Sequence, residues 1–95
     1  MAARLIYHAR QFEADGSFQE IRIWQVPKTV NKPYGLKYSF AYIVNGERIV
    51  GYDNHEGKGD HRHYKGKESP YTFKSLKKLW SDFKKDIRRS REGAP

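Results

Sequence analysis

Three of the chain's four histidines fall within YDNHEGKGDHRHY, Tyr52 to Tyr64, and two of them, His61 and His63, are separated by one arginine. In an extended segment residues i and i+2 point to the same side, about 6.5–7 Å apart, while the residue between them points away. Two imidazoles at that spacing can straddle a phosphodiester. One takes the proton of the ribose 2′-hydroxyl and the other protonates the leaving oxygen, a task suited to a group that titrates near neutrality. In such a metal-free ribonuclease Lys58, Arg62 or Lys65 would stabilise the charge developing on phosphorus, and Asp53 would orient one imidazole through its second nitrogen.

The same atoms allow two other readings. His-x-His on a strand presents two nitrogen donors on one side, and Asp53, Asp60 or His55 would complete a zinc or manganese site with His61 and His63. Alternatively the run is scaffolding, a polar connection stiffened by hydrogen bonds and by Asx-type turns at Asp53 and Asn54. Gly57 and Gly59 around Lys58 would let backbone amides approach a phosphate, but GKGD lacks the spacing and the Ser/Thr of a P-loop. The spacing leaves acid–base catalysis, metal binding and scaffolding open.

The elements that must position these residues are legible from periodicity. Arg4–Phe12 and Ser17–Val26 are rich in aromatic and β-branched residues and flank Asp15-Gly16, a hairpin signal. Pro27–Gly35, with two prolines, reads as an ordered loop. Leu36–Val44 and Glu47–Asp53 flank Asn45-Gly46, the pair best suited to a type I′ turn. Tyr38, Phe40, Tyr42 and Val44 then share one face and Ser39, Ala41 and Ile43 the other, which predicts that both faces are at least partly covered. From Ser75 the period changes to 3.6, with Leu76, Leu79, Trp80, Phe83 and Ile87 on one stripe and lysines and arginines elsewhere. Ser75 would cap a helix that runs to Arg91, about 25 Å. Trp24 and Trp80 are assigned to the core, and His8 to a packed or edge position. The expected fold is α+β: an antiparallel sheet of four to five strands built from two hairpins and covered by a long C-terminal amphipathic basic helix. Residues 1–92 form one domain and 93–95 a flexible tail.

Charge says where a partner arrives. Residues 1–60 carry eight Lys/Arg against seven Asp/Glu, whereas residues 61–95 carry eleven against four, so nearly all of the net +8 lies in the last third. A one-signed field of this kind answers a polyanion or an acidic protein. Lys65, Lys84, Lys85, Arg88 and Arg89 are the candidate phosphate contacts, and Tyr64 a candidate stacking partner for an unpaired base. The chain has no cysteine, which excludes disulfides, thiolate metal sites and thiol nucleophiles. No stretch approaches the roughly 18 apolar residues of a membrane span, and no apolar signal segment opens the chain. These features predict a soluble cytoplasmic protein without a membrane partner.

IWQVP, YSFAYIVNGERIVGYDNHEGKGDHRHY and YTFKSLKKLWSDFKKDIRR together resemble the TumE family of prokaryotic toxins, over nearly the whole chain. The most distinctive elements are Tyr52-Asp53-Asn54, the His-x-His of His61 and His63, and the helix that follows. The resemblance implies the toxin component of a toxin-antitoxin pair, and a partner encoded alongside, typically a winged helix-turn-helix DNA-binding antitoxin. Joined to the residue chemistry, it predicts a toxin that acts on RNA as an endoribonuclease, with no cofactor or with a divalent zinc or manganese ion. The alternative is a noncatalytic module that binds nucleic acid or its cognate protein through the basic helix.

Overall fold

The computed structural model describes residues 3–55 and 59–95. Six strands, β1 (Arg4–Phe12), β2 (Phe18–Gln25), β3 (Leu36–Val44), β4 (Glu47–Asp53), β5 (His61–Tyr64) and β6 (Lys67–Pro70), precede one helix, α1 (Leu76–Arg91). The strands form a single antiparallel sheet in the order β1-β2-β3-β4-β5-β6, so each pairs with its neighbour in sequence. The architecture is α+β.

The strand count corrects the expectation of two hairpins and four to five strands. A third hairpin runs from His61 to Pro70 and turns at Lys65 (φ 49°) and Gly66 (φ 84°), the same pair of left-handed conformations found at Asn45 (φ 51°) and Gly46 (φ 77°). Asn-Gly announces such a turn, because both residues tolerate positive φ, but Lys-Gly does not. The flanking HRHY and KESP are too polar to show an apolar alternation, so pattern reading takes them for a connection.

The core lies on one face only. Ile21 and Ile23 of β2, Tyr38, Phe40 and Tyr42 of β3, Val50 and Tyr52 of β4 and Tyr64 of β5 pack against Leu79, Phe83 and Ile87 of α1. Phe40 meets both Phe83 and Trp80 edge to face, with ring centroids 5.4 and 5.3 Å apart. Burying each large apolar side chain of the helix contributes about 1.5–3 kcal/mol, enough to hold one helix on one sheet. Ser75 caps α1 by accepting a hydrogen bond from the Lys78 amide, and Arg88, Arg89 and Arg91 sit in its last turn, where cations favour the negative pole of the macrodipole. The carbonyl of Ala94 accepts hydrogen bonds from Tyr64 Oη (2.7 Å) and Lys65 Nζ (2.6 Å).

The opposite face of the sheet carries no helix. Trp24, expected in the core, lies on this open face, half-buried beneath the ammonium of Lys37, which is 5.4 Å from its ring centroid. An aromatic residue type predicts burial but not which face provides it.

Candidate functional site

The alternation of β4 and β5 sorts YDN and HRHY onto two sides. Register pairs Tyr52 with Arg62, Asp53 with His61 and Gly51 with His63. Tyr52, Arg62 and Tyr64 therefore face the helix, and Gly51, Asp53, His61 and His63 face the open side. Each imidazole has its own carboxylate on a diagonal cross-strand neighbour. His63 Nε2 lies 3.2 Å from Asp53 Oδ2, and His61 Nδ1 lies 2.8 Å from Glu68 Oε2 of β6. Both side chains are about 17% exposed, so they are held in place by neighbours yet reachable from solvent.

Arg48 completes the group. Its Nη1 lies 3.7 Å from Asp53 Oδ2, and its side chain crosses directly over Gly51. A Cβ at position 51 would come within 2.9 Å of Arg48 Cδ and 3.2 Å of Nε, so the glycine makes the crossing possible. The register Ser39 to Asp53 and Ala41 to Gly51 places a floor of small residues beside the histidines. On its far side β2 presents Arg22 and Glu20. The Glu20 carboxylate binds Arg10 Nε (2.8 Å), Arg22 Nη2 (3.0 Å) and His8 Nε2 (3.1 Å). The Arg10 hydrogen bond holds that carboxyl below the usual range, against the effect of partial burial. Arg22, Trp24, Lys37 and Arg48, together with Asp53 and His55, border a shallow depression of about 260 Å³. The open face thus combines cations, an aromatic ring and a pair of anchored imidazoles around a trough of small side chains.

Arg62, a candidate for the same chemistry, is engaged elsewhere. Its Nε and Nη2 donate to Asp86 Oδ2 (2.6 Å) and Oδ1 (3.0 Å) of α1, and Tyr52 Oη donates to the same Oδ2 (2.6 Å). Asp86 is 4% exposed and the Arg62 side chain 29%, so a buried carboxylate and a half-buried guanidinium tie β4 and β5 to the helix. Burial and the Asp86 hydrogen bond push the Tyr52 hydroxyl well above its ordinary range, and the same carboxylate raises Arg62. Asn54 is equally structural. Its Oδ1 accepts the Tyr38 amide (2.9 Å) and its Nδ2 donates to the Leu36 carbonyl (2.8 Å), so the side chain prolongs the β3–β4 ladder past the last residue of β4. The three residues of YDN therefore reach in three directions: Tyr52 to the helix, Asp53 to the histidines and Asn54 to β3.

The remaining candidates are dispersed. Asp60 accepts a hydrogen bond from Tyr38 Oη (2.5 Å). Exposed His55 donates its amide to Asp53 Oδ1 (3.3 Å). Tyr64 is buried on the helix side, its ring flanked by the guanidinium carbons of Arg62 (4.9 Å) and Arg89 (5.8 Å). Lys65 sits at the β5–β6 turn, Lys84 donates to Gln19 Oε1 (2.5 Å), and Lys85 and Arg88 are exposed on α1, the layer opposite the histidines. Lys58 lies outside the described residues. Among the described residues no group of three or more His, Cys, Asp or Glu side chains is placed to hold a metal ion. No helix of the described residues is long and apolar enough to cross a membrane.

Arg48, Glu68, Arg22 and Lys37 join the face without having been candidates. Only Glu68 left a trace in the sequence: once Lys65-Gly66 is recognised as a turn, it falls opposite His63.

A family model described as Toxin TumE matches residues 2–91, nearly the whole chain. No curated protein matches the chain, and no solved structure does.

Proposed function

The chain belongs to the TumE toxin family, and from that premise we propose that it is a metal-independent endoribonuclease whose site is the open face around His61 and His63. Membership makes it the toxin of a toxin-antitoxin pair and implies a cognate antitoxin. The observation that carries the enzymatic reading is the pairing of each imidazole with its own carboxylate on the uncovered side of the sheet. Each carboxylate fixes the orientation of its ring, which suits two groups with separate duties in acid–base catalysis.

In this reading His63, oriented by Asp53, removes the proton from a ribose 2′-hydroxyl. The 2′-oxygen attacks the adjacent phosphorus, the bond to the 5′-oxygen breaks, and His61 supplies the proton that the departing oxygen needs. The products are a 2′,3′-cyclic phosphate and a 5′-hydroxyl. Arg48, beside Asp53, neutralises the charge that builds on the phosphoryl oxygens. Incubating the purified chain with a defined single-stranded RNA should yield cyclic-phosphate ends in EDTA as well as in zinc or manganese. Cleavage confined to the metal-containing samples would replace this reading with the metal site, and intact RNA in all three would leave a noncatalytic module. Expression of the chain alone should arrest growth, and coexpression with its neighbouring gene product should relieve the arrest.

For the cations of α1, exposed at Lys85, Arg88 and Arg89 and half-buried at Lys84, on the layer away from the histidines, the proposed partner is an acidic surface of the antitoxin, which is itself proposed to be a winged helix-turn-helix DNA-binding protein. Replacing Lys84, Lys85, Arg88 and Arg89 with glutamine should weaken the toxin–antitoxin complex and leave RNA binding with the same salt dependence. A single-strand phosphate contact contributes about 0.7 to the slope of log affinity against log salt. A clear flattening of that slope would assign the helix to the RNA interface instead.

A further inference from the structure

Where Asn54 leaves β4 and Asp60 leads into β5, a second cavity, of about 260 Å³, opens at the end of the sheet between the 31–36 and 71–73 segments. It is not part of the histidine face. Even so, Asn54 directly follows Asp53 and Asp60 directly precedes His61, so the two sites share two strand ends. The cavity is smaller than the roughly 300–1,000 Å³ of pockets for drug-sized ligands, and fits a single heterocycle.

Its walls are aromatic. The rings of Tyr34 and Phe73 lie 5.0 Å apart at 57°, and Phe73 stacks on Tyr38 at 5.5 Å. Tyr34 is 55% exposed, a large ring that the core does not use. The amide of Asn54 is committed to the β3 backbone through both its oxygen and its nitrogen, which fixes the inner wall. Among the described residues one carboxylate lines the space. Asp60 Oδ2 accepts the Tyr38 hydroxyl, and among the described residues no other side chain is hydrogen-bonded to that carboxylate. Burial and this hydrogen bond push the Tyr38 hydroxyl far above its ordinary range, so it stays a donor and holds Asp60 in place.

We propose that this cavity receives one guanine base of the RNA, from the nucleotide adjoining the phosphate at His61 and His63. The inference rests on the ribonuclease reading of the open face and adds its base selectivity. Aromatic walls stack on any base, whereas a carboxylate only accepts hydrogen bonds. Guanine alone carries two adjacent N–H donors, N1 and N2, on its pairing edge. Adenine and cytosine each set a ring-nitrogen acceptor beside their amino group, and uracil flanks its single N–H with two carbonyls, so all three turn an acceptor toward Asp60. Asn31 and Lys32 also line the cavity and bring donors suited to the guanine O6.

The test is titration of the ¹⁵N-labelled full-length chain with GMP, AMP, CMP and UMP, following the amides of Asp60, Thr72 and Phe73. GMP should give saturable shifts at these positions, with the other nucleotides weaker by about fivefold or more, as for a paired hydrogen-bond readout. Asp60→Asn should abolish the preference, and Tyr34→Ala, at the exposed rim, should weaken all four nucleotides by roughly fivefold or more through lost stacking. Tyr34→Ala keeps the test decisive should Asp60→Asn lose its fold with the Tyr38 contact. GMP binding should persist in His63→Ala. Equal shifts from all four nucleotides, or shifts confined to the open face, would overturn the guanine site. RNA cleavage with no preference for guanosine would also overturn it while leaving the ribonuclease intact. GMP bound in this cavity by a chain that cuts no RNA would uphold the cavity and remove the ribonuclease reading.

Discussion

Replacing His63 with alanine should lower RNA cleavage by about 10² to 10⁴, the usual contribution of a positioned general acid or base. The thermal midpoint should fall by only a few degrees, because the side chain lies on the open face outside the core, and losing its contact with Asp53 costs on the order of 1 kcal/mol. His61→Ala should behave alike. Each variant should lose one limb of a bell-shaped pH–rate profile, and not the same limb if one ring is the base and the other the acid. Asp53→Asn offers a graded case: RNA binding should be retained and the rate should fall, as expected of a carboxylate that orients His63 without touching substrate. Rates are measured per folded molecule, with far-ultraviolet dichroism as the check. A His63→Ala protein that melts many degrees lower but cuts RNA at the parental rate would make the polar run scaffolding.

Asp86→Ala should have the largest effect on stability. It removes the buried partner of Arg62 and the acceptor of the Tyr52 hydroxyl together. Breaking a fully buried pair from one side typically costs about 3–5 kcal/mol, and the half-buried Arg62 left behind here sets the expectation at about 3 kcal/mol, the lower end. In a domain of this size each kcal/mol shifts the thermal midpoint by about 4–8 °C, so the variant should unfold at least about ten degrees lower, if it accumulates at all. Arg62→Met with Asp86→Leu should recover much of the loss, since an apolar pair of similar volume avoids the desolvation that the ions incur. Calorimetry of the three proteins decides the point, and a single Asp86→Ala variant with an unchanged midpoint would show that the pair holds nothing together.

What the sequence displayed and what it hid divide along physical lines. β3, β4 and α1 were legible to the residue because a period of 2 or 3.6 and an Asn-Gly turn are local signals. The third hairpin was hidden because its alternation is written in histidine, arginine and glutamate, with Tyr64 as its one buried apolar side chain. Of the candidate face, the shared side of Asp53, His61 and His63 was legible because strand geometry makes neighbours of i and i+2. The place of Arg48 was not, since the register shift between Tyr42 and Ile43 helps set where it lies. The side of the strand that Arg62 faces was legible, but not what it meets there. Its partner, Asp86, stands 24 residues away on a helix whose contact with β5 no local pattern specifies.

Sequential strand order also bears on how the molecule comes off the ribosome. Each hairpin can close as soon as its second strand emerges, so the short loops cost little entropy and pairing never waits for a distant segment. The helix is the exception. Ile21, Phe40 and Val50 wait for the last twenty residues, because among the described residues α1 supplies most of the cover on that face, with Tyr71 and Phe73 adding a little at one end. A premature stop codon between Glu68 and Leu76 would therefore silence the gene while leaving every residue of the histidine face encoded. Loss-of-function alleles in a toxicity screen should therefore fall in the helix as well as on the histidine face.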